Sequence, residues 1–134
     1  MIFKKSYVVP ANTSLQSQDH QKLTIAKGEI IGWIVFMPEE AADMLQLNVE
    51  YHNLQIFPFS GSEWWYGVYQ AFLIPDNFPV LDSPYCLDIY AINRDDSYEH
   101  EYFVSVIIEP AEPEKIPAEG EAGLWDRLRN ALGG

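Results

Sequence analysis

Polar and apolar residues alternate most cleanly over LQLNVEYH (45–52). Leu45, Leu47, Val49 and Tyr51 fall on one face, and Gln46, Asn48, Glu50 and His52 on the other. This two-residue period predicts a half-exposed strand. His52-Asn53 fits a tight turn, because Asn tolerates the left-handed backbone. LQIF (54–57) then returns as a short strand to Pro58. Upstream, IFKKSYVV (2–9) predicts a strand ended by Pro10, and the polar, aperiodic ANTSLQSQDHQ (11–21) predicts a loop. KLTIA (22–26) predicts a short strand. EIIGWIVFM (29–37) is apolar on both faces, with Ile31, Trp33, Val35 and Met37 on one and Ile30, Ile34 and Phe36 on the other. Such a run predicts a central strand covered on both sides. EEAAD (39–43) predicts one helical turn or a loop.

Downstream, SGSEWWYG (60–67) predicts an aromatic loop and VYQAFLI (68–74) a strand. PDNFPVLDSP (75–84) holds three prolines and predicts irregular chain. YCLDIYAIN (85–93) and YEHEYFVSVII (98–108) predict two strands joined by a hairpin turn at RDDS (94–97). About eight strands separated by turn signals, with no helix before residue 110, predict an all-β antiparallel sandwich of jelly-roll type. A lipocalin-like barrel fits less well, since the loops are long and proline-rich rather than tight.

The chain closes differently. EPAEPEKIPAEGE (109–121) holds three prolines and five glutamates, which predicts an extended, solvated tether reaching about 35–40 Å. In the segment beyond it, 122–134, Leu124, Leu128 and Leu132 recur at helical spacing beside Trp125 and Ala131. Asp126, Arg127, Arg129 and Asn130 take the other face, so this is an amphipathic helix pattern. The eleven residues AGLWDRLRNAL (122–132) are too few to hold a helix alone in water. The helix therefore needs a surface: its own domain, a symmetry mate, a different protein or a membrane. The length and charge of the tether favour a partner. The domain organisation read from the sequence is 1–108 sandwich, 109–121 tether and 122–134 docking helix.

Charge narrows the partners. The net charge is -12 over 134 residues, yet residues 1–27 carry four lysines (Lys4, Lys5, Lys22, Lys27) against Asp19 alone. The remainder is strongly acidic and repels phosphates, which argues against nucleic acid. The acidic tether argues equally against an anionic membrane. One basic end and one acidic end suit subunits packing head to tail. Cys86 is the single cysteine and excludes an internal disulfide. No apolar run follows Lys4-Lys5 as a signal peptide would require, so the expected location is a cytoplasm or a particle assembled there.

Catalytic chemistry is sparse. His20, His52 and His100 have no metal-ligand spacing and fall at turns or polar strand positions, which predicts surface histidines. There is no nucleophile elbow and no phosphate-cradling glycine loop, so no enzyme activity, metal or cofactor is expected. The sharpest local feature is Glu63-Trp64-Trp65-Tyr66, with Tyr69 nearby. Exposed rings beside a carboxylate form a stacking platform for sugars or an anchor at a protein interface. Alternatively they seal one end of the sandwich.

KGEIIGWIVFMPEEAADMLQLNVEYHNLQIFP (27–58) resembles a pattern in small β-sandwich accessory proteins of tailed-phage virions. Lys27-Gly28, Trp33, Phe36, Pro38, Tyr51, Gln55, Ile56 and Pro58 carry the likeness. The resemblance implies a head decoration, cement or head–tail accessory subunit. Such a subunit would be a homo-oligomer, gripping other virion proteins through its sandwich and an extended arm. On that reading Leu124, Trp125, Leu128 and Leu132, flanked by Arg127 and Arg129, are the docking residues. The alternative functions are a carbohydrate-binding module built on Trp64, Trp65 and Tyr66, and an adaptor whose tail recruits an enzyme.

Overall fold

The computed structural model describes residues 1–41, 44–58, 64–66 and 73–111. They form nine strands: β1 (Ile2–Val9), β2 (Asp19–Thr24), β3 (Gly28–Phe36), β4 (Leu45–Tyr51), β5 (Leu54–Phe57), β6 (Trp65–Tyr66), β7 (Leu73–Val80), β8 (Cys86–Asn93) and β9 (His100–Pro110). One antiparallel sheet has the order β1-β9-β3-β7, and the other β2-β8-β4-β5, with β6 pairing the first half of β4. Apart from the β4–β5 hairpin and short β6, successive strands alternate between the sheets, which is the jelly-roll path. The sandwich expected from the sequence is therefore the fold.

The two inner faces meet in one core. Trp33 of the first sheet stacks on Phe57 of the second, with ring centroids 4.9 Å apart. Trp33, Phe57, Tyr102, Ile30, Leu47, Leu87 and Ile89 are fully buried, each such side chain contributing about 1.5–3 kcal/mol. The Tyr7 hydroxyl donates to the Lys22 carbonyl at 3.1 Å and ties β1 to β2 across the sheets. His52 and Asn53 both have positive φ, 51° and 67°. They make the two-residue turn that fixes Tyr51 opposite Leu54.

Several expectations are corrected. Residues 75–80, expected to be irregular, belong to β7, which starts at Leu73 within the strand expected over 68–74. β7 is an edge strand, the place in a sheet where proline is accommodated, because only one side of the strand has a ladder to keep. Asp19–Gln21, expected in a loop, belong to β2, and their polarity reflects a sheet edge. β3 is central but covered on one side only: a bulge between Ile30 and Gly32 leaves Ile31 exposed and turns Ile30, not Ile31, into the core. Residues 94–97 do not close a hairpin, because β8 and β9 lie in different sheets. His100, expected at the surface, is buried with Nε2 2.8 Å from the Asp95 carboxylate. β9 extends through Pro110, and the Ala111 N–H donates to the Lys27 carbonyl at 3.2 Å. The proposed tether and helix from residue 112 onward lie outside the described residues.

Candidate functional site

Two outer faces follow from these registers. On the β1-β9-β3-β7 sheet, the outward positions of β1 are Ile2, Lys4, Ser6 and Val8, opposite Ile107, Ser105, Phe103 and Glu101 of β9. Beside them run Ile34 and Phe36 of β3, then Leu73 of β7. Ile2, Val8, Ile31, Leu73 and Phe103 are each at least 40% exposed. The Phe36 and Phe103 rings pack together at 5.7 Å. A shallow depression of about 320 Å³ opens between β1 and β9, lined by Lys4, Lys5, Ser6 and Phe103. A sheet that ends at water normally alternates apolar-in with polar-out. This one exposes apolar side chains on both outer strands and at its centre.

The outer face of the β2-β8-β4-β5 sheet is polar. His20, Tyr90 and Asn48 share one row, and Lys22, Asp88, Glu50 and Gln55 the next. The His20 ring stacks on Tyr90 at 4.5 Å. Asp88 accepts Lys22 Nζ at 2.9 Å and lies 2.8 Å from His20 Nε2. Burial pushes the Asp88 carboxyl up, but the hydrogen bonds and charges of Lys22 and His20 outweigh it and hold it below the usual carboxylate range. Burial, aided by the Glu50 and Asp88 charges, raises the Tyr90 phenol above its ordinary value.

Trp64 and Trp65 part company here. Trp65 lies opposite the core residue Leu47, packs on Phe57 at 5.2 Å and joins the edge of the hydrophobic core. It is thus no part of an exposed platform. Half-buried Trp64 is shared by the linings of two depressions. One, of about 380 Å³, includes Asn12, Thr13, Gln46 and Arg94 in its lining. The other, of about 390 Å³, is lined with Trp64 by Gln18, Asn48, Glu50, Gln55 and Tyr90. Tyr66 is placed opposite Gln46 by its backbone. Glu63, Tyr69 and the tail residues Leu124, Trp125, Arg127, Leu128, Arg129 and Leu132 lie outside the described residues.

The sequence missed the companions of Trp64. Their signal was the outward half of the alternating strand: Gln46, Asn48 and Glu50 satisfy a solvent-facing pattern equally well. Tyr90, on the neighbouring strand, carries no local mark. Among the described residues no three His, Cys, Asp or Glu side chains gather as a metal-ligand set, and no helix is long and apolar enough to cross a membrane. Comparison with protein-family models, curated proteins and solved structures returned no match.

Proposed function

We propose that this chain is a non-enzymatic structural subunit of a phage or phage-like particle, a head decoration, cement or head–tail accessory protein. The observation that carries the reading is the apolar outer face of the β1-β9-β3-β7 sheet, with Ile2, Val8, Ile31, Leu73 and Phe103 exposed. Apolar patches of this kind mark protein contacts. The occupant is a second copy of the chain. The lysines flanking the face on β1, Lys4 and Lys5, meet the acidic remainder of a neighbour, since residues 28–134 carry nineteen of the twenty acidic residues.

The same sheet supplies the origin of the tail, because β9 leads directly into residues 112–134. Once the sandwich is seated, the segment holding Leu124, Trp125, Leu128 and Leu132 meets an adjacent subunit at an effective concentration of about millimolar. A weak helix then holds firmly.

The test is the composition of particles purified from the source lysate, together with light scattering of the full chain. The chain is expected at fixed stoichiometry in the particles and as a concentration-dependent oligomer in solution. Phe103→Asp should return it to monomer with the sandwich still folded, and Trp125→Ala should weaken retention on particles. A monomer at all concentrations, absent from washed particles, would defeat the reading.

A further inference from the structure

Asn48 sits at the centre of the polar face with an unanswered acceptor. It takes an outward register position on β4, between Gln46 and Glu50 and opposite Tyr90. Yet it is only 7% exposed, and its Oδ1 has no hydrogen-bond partner among the described residues. A buried carbonyl oxygen without a donor is rare and costs stability. It lines the depression of about 390 Å³ that also holds Gln18, Glu50, Gln55, Tyr90 and the Trp64 ring. Ligand clefts span about 300–1,000 Å³, so the space is sufficient.

We infer that this face is a binding site for a neutral oligosaccharide, with Trp64 as the stacking ring and Asn48 as the central acceptor for a sugar hydroxyl. The chemistry of the lining selects the ligand. A pyranose presents an apolar C–H face and a rim of hydroxyls, each both donor and acceptor. Trp64 offers a flat apolar surface for the first. The side-chain amides of Gln18 and Asn48, the Tyr90 hydroxyl and the Glu50 carboxylate offer donors and acceptors for the second. An anionic ligand is disfavoured, because Glu50 and Asp88 lie side by side across β4 and β8. His20 stacked on Tyr90, itself beside the Lys22–Asp88 pair, holds that ring in place.

The site extends past a single sugar. A second depression also has Trp64 in its lining and includes Gln46. From Gln46 to Glu50 the strand advances about 14 Å at roughly 3.4 Å per residue, longer than one pyranose. Trp64 is therefore shared by two subsites. This inference does not rest on the particle reading, which concerns the opposite sheet.

The experiment is a titration of the full chain, by calorimetry and tryptophan emission, with the neutral hexaoses of the cello-, xylo-, malto-, manno-, laminari- and chito-series. At least one series should bind saturably, with the hexaose at least tenfold tighter than its monosaccharide. Trp64→Ala should weaken that binding at least tenfold, whereas Leu81→Ala, at an exposed position that lines neither depression, should leave it unchanged. Asn48→Leu supplies a second reading: it should lose binding while its melting temperature equals or exceeds that of the parent, since the orphaned acceptor is gone. No saturable response in any series overturns the inference. So does binding that survives both Trp64→Ala and Asn48→Leu, or a site that takes unrelated peptides as tightly as the sugars.

Discussion

Trp33 donates its indole N–H to the Asp76 carboxylate at 2.9 Å. The bond joins the fully buried ring at the centre of the core to the proline-bearing edge strand β7. It gives the indole nitrogen a partner that the apolar core cannot offer. Asp76→Ala leaves that donor unpaired, and the expected cost is about 1–3 kcal/mol. Urea denaturation of the full chain checks it. Asp76→Asn, which keeps an acceptor oxygen, should recover much of the loss.

Asn93 ties the end of β1 to the β1–β2 and β8–β9 loops. Its Nδ2 donates to the Val9 carbonyl at 3.1 Å and the Tyr98 carbonyl at 3.0 Å, and its Oδ1 accepts the Asp95 N–H at 3.0 Å. Its backbone exchanges hydrogen bonds with Thr13. The residue is wholly buried, so Asn93→Ala strands backbone groups away from water. A loss of about 2–4 kcal/mol is expected. Hydrogen exchange should quicken first at Asn12, Thr13 and Asp95.

Acid should weaken the fold through Asp88 and Asp95. The Asp88 carboxyl is held low by Lys22 and His20 against the opposing effect of burial. Asp95 is held low by the Ser97 N–H first, then by the hydrogen bond with His100. A carboxyl whose folded pKa is depressed stabilises the protein fully above its ordinary value near about 4, and the contribution is lost as pH falls through the lowered folded value. Denaturation midpoints measured from neutral pH downward should decline below about pH 4. Asp88→Asn should flatten part of that decline.

At Gly28, β3 lies tight against β9. A Cβ there would stand 2.3 Å from the Glu109 carbonyl oxygen and 2.9 Å from Ile108 Cγ2. Gly28→Ala must push the strands apart, with an expected loss of about 1–3 kcal/mol. The Ala111–Lys27 hydrogen bond adjoins this point, so its amide exchange offers a local reading of the same displacement.

The strands whose inner and outer residues differ in polarity were legible in the sequence: β4, β5, β8 and β9 stand where their alternation put them. β7 was hidden because proline signals a break, and whether the strand is an edge is decided by its neighbours, not by its own residues. The bulge at Ile31 was hidden because Ile30 and Ile31 are chemically alike, so nothing local says which faces inward. The paired tryptophans 64 and 65 promised one platform, but strand geometry sends adjacent side chains to opposite faces, and pairing with Leu47 claimed Trp65 for the core. The polar trough depends on Asn48 and Tyr90 meeting across β4 and β8, a long-range register that no local pattern contains.

Met1 and Ile108 exchange hydrogen bonds, the Met1 amino group donating to the Ile108 carbonyl at 3.1 Å and the Ile108 N–H to the Met1 carbonyl at 2.8 Å. The described chain thus begins beside the place where its last strand is finishing. In terms of connectivity the sandwich is nearly a ring: a short bridge from Ala111 to Met1 would close it without moving a strand. Fresh ends could be opened at His52-Asn53, where the turn is exposed. Such a rewired protein would keep both outer faces and part the jelly roll from its tail.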